Sequence, residues 1–194
     1  MKPDRLNAFT DGVIAIIITI MVLEIRLPHE PTLRGFLTMA PLLGIYALSF
    51  INVGIFWNNH HHLLDGVHKI DGRVMWANLC LLFWLSLVPF EIRWMGEAGL
   101  VAWPVAAYGG VLMMAALSYV LLERTLIAAE GERSIVGAAT GSRLKEWAGF
   151  LAYATAIAVA FLLSPLLSVA IYVANAAAWF IPDQRFEQQR DLHQ

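Results

Sequence analysis

The residues of this chain that could do chemistry close to a membrane stand directly before its most apolar stretch. Thr10 and Asp11 precede residues 12–23, which carry no charge. A carboxylate beside an apolar segment is costly unless hydrogen-bond donors or cations meet it. Four side chains could do so, one on the same segment and three on later segments: Arg5, His60, His61 and Asn78. These residue types predict a polar network between helices.

The apolar stretch carries a stripe along one side. Ile16, Ile20 and Leu23 are spaced by four and then three residues, which places them on one face of a helix, with the hydroxyl of Thr19 beside them. Such a stripe can line a pore. The alternative is that the three side chains pack in the core of a helix bundle, since apolar stripes are common on buried helices.

Three consecutive histidines, His60, His61 and His62, invite comparison with a metal site, because histidine is the commonest metal ligand near neutral pH. Consecutive residues of a helix point about 100° apart, so three of them cannot converge on one ion while the helix continues. We therefore expect no native metal site and instead expect polar anchors, one of which joins the network around Asp11. Metal binding remains the alternative.

Composition places the chain in a membrane. Hydrophobic residues make up 59% of it and charged residues 14%, with a mean hydropathy of +0.63; soluble domains have roughly 25% charged residues. The net charge of −2 offers no basic field for a nucleic acid. The sequence has no nucleophile elbow, zinc-binding helix motif or phosphate loop, so we expect that it is not an enzyme.

Six apolar segments are long enough to cross a bilayer, which takes about 17–25 residues per helix. The last apolar block is divided at Ser164-Pro165, because proline lacks the amide hydrogen and clashes with the preceding turn. The predicted spans are residues 9–25, 36–57, 74–94, 101–127, 147–163 and 165–181. The prediction is an all-α integral membrane protein in which residues 1–194 form a single six-span domain within the lipid bilayer.

Basic residues are distributed unevenly between the two sides of this arrangement. Ten of the thirteen fall on the side of both termini: Lys2, Arg5, Lys69, Arg73, Arg124, Arg133, Arg143, Lys145, Arg185 and Arg190. The other three are Arg26, Arg34 and Arg93. Because cytoplasmic loops carry the excess of Lys and Arg, both termini are predicted to be cytoplasmic.

No charged residue is predicted in the middle of a span, and Glu91 and Glu123 are predicted near span ends. Transporters usually keep ionisable groups at mid-membrane to bind or relay their ions. A coupled transporter is therefore disfavoured.

Four segments, in the same order along the chain, resemble the transmembrane protein 175 family, the bacterial relatives of an animal lysosomal potassium channel. They are Arg5…Phe9-Thr10-Asp11-Gly12, Ser49-Phe50…Gly54…Trp57-Asn-Asn-His60-His61, Asn78-Leu79…Pro89-Phe90 and Trp179-Phe-Ile-Pro182-Asp183. The first segment resembles the family's Phe-Ser-Asp motif, with Thr10 in place of the serine. Both residues carry the hydroxyl that can hydrogen-bond.

The resemblance implies a potassium-permeable channel with six helices per subunit, assembled as a homotetramer in the bacterial plasma membrane around four first helices. By the family's pattern, Ile16 is the apolar constriction, Thr19 carries the hydroxyl associated with potassium preference, and Ile20 and Leu23 add apolar layers. The sequence has no Thr-Val-Gly-Tyr-Gly filter, so no re-entrant selectivity loop is expected. Potassium ions are expected to permeate without a cofactor.

The same resemblance implies that the polar motif is a structural latch between first helices, formed by Arg5, Phe9, Thr10 and Asp11. The alternative is a ring of Asp11 carboxylates that attracts cations in a cytoplasmic vestibule. Glu24, at the outer end of the pore helix, either focuses cations at the pore mouth or pairs with Arg26.

The predicted function has alternatives too. The first is a proton-permeable leak channel of the same architecture, since the animal relative also passes protons. The second, a non-conducting membrane scaffold, predicts no ion flux.

Overall fold

The computed structural model describes residues 3–28, 30–65, 67–130 and 143–180, and it is built from helices. None of these described residues belongs to a strand, which confirms the predicted all-α fold. In chain order the helices are α1 Pro3–Leu23, α2 Leu33–Thr38, α3 Ala40–Leu64, α4 Gly72–Ser86, α5 Val88–Ala98, α6 Ala102–Glu130, α7 Arg143–Leu162 and α8 Pro165–Phe180. Residues 131–142, between α6 and α7, and residues 181–194, after α8, lie outside the described residues.

Five stretches are both long and apolar enough to cross a membrane: Pro3–Leu23, Ala40–Leu64, Gly72–Ala98, Ala102–Glu130 and Lys145–Leu162. A sixth apolar helix, Pro165–Trp179, is shorter. At about 1.5 Å per residue, a 29-residue helix such as α6 is roughly 44 Å long and exceeds the hydrocarbon thickness of a bilayer. The chain is therefore an integral membrane protein.

Proline residues divide two of the long apolar segments. The predicted span 74–94 is not one continuous helix, because α4 ends at Ser86 and α5 begins at Val88. Pro89 lies in the first turn of α5, where its missing amide hydrogen interrupts the ladder of helical hydrogen bonds. A second break separates α7 from α8 at Ser164-Pro165.

Long helix α6 packs against α4, α5, α7 and α8, and α1 packs against α3, α4 and α5. One close approach fixes the distance between α6 and α8. A Cβ atom on Gly109 would lie 1.9 Å from the hydroxyl of Tyr172, which donates a hydrogen bond of 3.1 Å to the carbonyl of Val105. A glycine is therefore required where the two helices meet.

A polar contact joins α3 to α6 within this core. Ser49 Oγ lies 3.2 Å from the hydroxyl of Tyr108 and 2.8 Å from the carbonyl oxygen of Ile45. Both Ser49 and Tyr108 are buried. Buried polar side chains of this kind need such partners, so the contact fixes how α3 and α6 are oriented.

Candidate pore helix and its polar anchors

Helix α1 has one face that packs against its own chain. Five residues at intervals of four or three positions are buried there: Leu6, Thr10, Ile14, Ile17 and Met21. Their side chains contact the bundle formed by α3, α4 and α5. The periodicity of an α-helix thus accounts for which side of α1 faces the protein.

The predicted pore stripe lies on the other side of α1. Ile16 is 58% exposed, Ile20 39% and Leu23 78%. These side chains are not in the core of the single chain, so packing within the chain does not explain the stripe. Phe9 is also uncovered on this side, at 51% exposure. An apolar face this long needs lipid, another subunit or a pore to meet it.

Thr19 belongs to the same exposed side. Its hydroxyl donates a 2.9 Å hydrogen bond to the carbonyl oxygen of Ile16, one turn back along α1. Because the hydroxyl proton is used in this bond, the oxygen lone pairs point away from the helix backbone. Thr19 therefore presents an acceptor, which is the group that a cation requires.

A buried hydrogen-bonded chain anchors the opposite side of α1 to two neighbouring helices. Asn78 Nδ2 donates to Thr10 Oγ1 at 2.9 Å, and Asn78 Oδ1 lies 2.8 Å from His60 Nε2. All three residues are fully buried. Since the amide oxygen can only accept, the proton of the neutral His60 ring belongs on Nε2. These hydrogen bonds connect α1, α3 and α4.

Asp11 has a different partner from those that the sequence suggested. Its Oδ1 accepts a 2.8 Å hydrogen bond from the indole nitrogen of Trp57. None of the four predicted partners bonds to it directly among the described residues: Arg5, His60, His61 and Asn78. Trp57 was not among the partners that the sequence predicted for Asp11. Its spacing of three and four residues from His60 and His61 is the signal that could have placed it in the network.

The remaining predicted members flank this network. His61 Nδ1 lies 3.5 Å from Asn7 Nδ2, and its ring stacks on Trp57 with centroids 6.3 Å apart. Arg5 is exposed and forms no ion pair with a described residue. His62 is exposed as well. Among the described residues, no three His, Cys, Asp or Glu side chains are grouped closely enough to hold a metal ion.

The C-terminal end of α1 is held by charges. Arg93 Nε lies 3.9 Å from Glu24 Oε2 and 3.1 Å from Glu97 Oε1, and Arg26 forms an ion pair with Glu97. The suggested pairing of Glu24 with Arg26 is therefore wrong, since Glu24 faces Arg93 on α5. Two cations and two anions leave this cluster neutral within one chain.

Glu91 corrects a second expectation. It was predicted near a span end, yet α5 continues to Ala98 and Glu91 is only 4% exposed. Its Oε2 atom makes no hydrogen bond to a described residue. A buried ionisable group was therefore missed, because the sequence shows neither where α5 ends nor which of its faces is covered.

The fold and the site define a class of protein. It is a helical membrane protein with several long apolar helices, and its first helix is anchored by buried polar residues on one face and leaves an apolar face uncovered on the other.

Comparison with known proteins defines the family. A family model described as the endosomal/lysosomal potassium channel TMEM175 matches residues 5–89. A potassium channel of Chryseobacterium sp. (strain P1-3) is 45% identical over 188 residues, which are 97% of each chain. The chain belongs to the TMEM175 family, as its motifs predicted.

Two further comparisons agree with this assignment. The crystal structure of a lysosomal potassium-selective channel TMEM175 homolog from Chamaesiphon minutus matches with a TM-score of 0.80 and 28% identity, over 92% of this chain and 96% of that chain. The mouse endosomal/lysosomal proton channel TMEM175 is 26% identical over 96 residues, or 47% of this chain and 19% of the mouse protein.

Proposed function

We propose that this protein is a potassium-permeable channel in which copies of α1 from four subunits surround a central pore. The observation that carries the proposal is the uncovered apolar face of α1, where Ile16, Ile20 and Leu23 are exposed in the single chain. One helix per subunit cannot enclose a pore, so the mechanism requires association. The number four comes from the family resemblance.

The proposed gate is hydrophobic. Four copies of Ile16, Ile20 and Leu23 would form three apolar rings over roughly 10 Å of pore axis, at about 1.5 Å per residue. A narrow apolar constriction loses its water and blocks hydrated ions until the helices separate. In this arrangement the ring of Ile16 side chains is the one nearest the cytoplasm.

Selectivity is proposed to come from Thr19. Its hydroxyl proton is bonded to the Ile16 carbonyl, so a ring of four oxygens could replace part of the hydration shell of a potassium ion. One layer of neutral oxygens gives modest discrimination between potassium and sodium. No cofactor takes part, and potassium is the permeant ion.

The buried hydrogen bonds from Thr10 through Asn78 to His60 are proposed to hold one side of α1 in place while the channel opens and closes. They hold α1 to α3 and α4 near the cytoplasmic end, while the apolar face remains free to meet other subunits. Phe9 and Arg5, which are exposed on α1, would complete the latch at contacts between subunits.

The arrangement in the membrane is also part of the proposal. Helices α1, α3, α6, α7 and α8 would cross once each, α4 and α5 together would form one further span, and residues 1–194 would be one six-span domain. Both termini would be cytoplasmic in the bacterial plasma membrane, as the distribution of basic residues predicts. Glu24 would lie at the outer pore mouth, where the nearby Arg93 reduces its attraction for cations.

Ion flux from proteoliposomes tests the gate and the selectivity together. Ile16→Asn should increase potassium flux, because a polar ring keeps the constriction wet, and Thr19→Ala should reduce the preference for potassium over sodium. Val22→Asn is the matched control: Val22 is also exposed on α1 but points about 120° from Ile16. Wild-type flux that neither Ile16→Asn nor Thr19→Ala alters would place the pore elsewhere.

A proton-permeable channel of the same architecture is the second candidate, favoured by the partial similarity to the mouse proton channel. Reversal potentials separate the two. The reversal potential of a potassium channel shifts with the potassium gradient and does not change with an imposed pH gradient. The reversal potential of a proton channel shifts with the pH gradient and not with the potassium gradient.

A further inference from the structure

A cleft outside the pore helix lies between the start of α4 and the end of α6. It has a volume of about 280 Å³ and is lined by Lys69, Asp71, Arg73, Arg124 and Thr125, with Ala128 and Ala129 completing the wall. Lys69, Arg73 and Arg124 are exposed, and none forms an ion pair with a described residue. Three cations and one anion thus line the cleft.

The anion does not cancel this charge. Asp71 Oδ1 accepts hydrogen bonds from the backbone amides of Arg73, at 2.9 Å, and Val74, at 3.0 Å, and so caps the start of α4. The Val74 hydrogen bond is foremost in holding the pKa of Asp71 below its ordinary value. The residues that line the cleft, with three positive charges and one negative charge, carry a net charge of +2.

Apolar side chains lead away from this cleft along both helices. On α4 the exposed residues are Trp76, Leu79 and Phe83, and on α6 they are Leu117 and Leu121. Each set is spaced by three or four positions, so each forms a stripe along its helix.

The two stripes lie on the same side of the seam between α4 and α6. Cys80 Sγ lies 3.3 Å from Ser118 Oγ, which shows which sides of the helices face each other. Because the start of α4 meets the end of α6 at the cleft, the helices are antiparallel. On two antiparallel helices, residues at these offsets from the contact point lie on the same face of the helix pair.

We propose that the cationic cleft and the two apolar stripes form a binding site for an anionic phospholipid. The phosphate group would lie between Lys69, Arg73 and Arg124, and the acyl chains would extend along the stripes. Charge complementarity selects an anionic headgroup, and the apolar surface, which continues from the cleft into the membrane-length helices, selects a lipid over a soluble phosphate. This site is independent of the ion that passes through the pore.

Native mass spectrometry of the assembled protein with added phosphatidylglycerol or phosphatidylcholine tests this site. Wild type should retain phosphatidylglycerol in preference to phosphatidylcholine. Arg73→Gln and Arg124→Gln should each weaken phosphatidylglycerol binding about fivefold, and the double variant about 25-fold, if each charge near an anionic lipid contributes its usual share. Arg34→Gln is the matched control, because Arg34 is exposed, lies on α2 and forms no ion pair with a described residue.

Two further arms separate a lipid from other occupants. Trp76→Ala should weaken phosphatidylglycerol binding, and millimolar glycerol phosphate should fail to displace the lipid. Equal retention of both lipids, equal loss in Arg34→Gln, or displacement by glycerol phosphate would overturn the proposal. So would a changed subunit number in the Arg73→Gln, Arg124→Gln double variant, which would make this face a contact between subunits.

Discussion

The two ends of α1 are attached to the rest of the chain by different chemistry. Near the N-terminal end, Thr10, Asn78 and His60 form a hydrogen-bonded network that is fully buried. At the C-terminal end, Glu24, Arg93 and Glu97 are held by charge, and the Arg93 side chain is 60% exposed. Breaking a buried hydrogen bond leaves a polar group that water cannot reach, whereas exposed ions are easily solvated. The N-terminal end of α1 should therefore be fixed and its C-terminal end free to move.

Asn78→Leu is expected to have the largest effect on this comparison. It removes both hydrogen bonds of the central residue and leaves the buried His60 Nε2–H without its acceptor. The free energy of unfolding should fall by about 3 kcal/mol, because each buried polar group left unsatisfied costs about 1–3 kcal/mol. Denaturant titration in lipid–detergent micelles measures it. Met75→Ala, at an exposed position three residues earlier on α4, should change the stability far less, and equal losses in the two variants would contradict the buried network.

Thr10→Val should have the next largest effect. It keeps the shape of the side chain but removes the acceptor of Asn78 Nδ2, at a cost of about 1–2 kcal/mol in the same titration. Thr10→Ser restores the hydroxyl and should recover most of that loss. If Thr10→Ser were as destabilised as Thr10→Val, the restored hydroxyl would not have recovered stability, and the hydrogen bond to Asn78 would not explain the role of Thr10.

Trp57→Phe should follow with a smaller loss of about 1 kcal/mol, because it deletes the donor to Asp11 at a site that is only partly covered. In the double-mutant cycle with Asp11→Ala, which removes the acceptor, the coupling energy between the two residues reports their hydrogen bond. Additive effects would mean that the Trp57–Asp11 contact contributes nothing in the membrane.

Arg93→Gln should have the smallest effect on stability. Its ion pairs with Glu24 and Glu97 are exposed, so the unfolding midpoint should barely change, and what change there is should shrink as salt is added. A large, salt-independent loss would contradict the distinction between a fixed N-terminal end and a mobile C-terminal end of α1.

Much of the fold could be predicted from the sequence, because long apolar segments in a protein of this composition have few alternatives to membrane helices. The break between α4 and α5 was missed although Pro89 was visible. A proline can kink or end a helix, and only the packing around Leu87 decides between these results.

The candidate site was predicted unevenly. The stripe of Ile16, Ile20 and Leu23 follows from helical periodicity alone, and the structure places it on an exposed face. The partner of Asp11 does not follow, because it depends on how α3 is rotated against α1. Nor could the sequence show that Arg93, and not Arg26, faces Glu24, since that pairing depends on where α5 ends.

The measurement that tests the pore helix most directly uses the single cysteine of the chain, Cys80, which can be replaced by alanine to give a background without thiols. In this background, treatment of Leu23→Cys with a charged methanethiosulfonate reagent should abolish most of the potassium flux. Val22→Cys, at the preceding position, should keep its flux after the same treatment. Equal sensitivity of the two variants, or none in Leu23→Cys despite verified labelling, would contradict a pore lined by this face of α1.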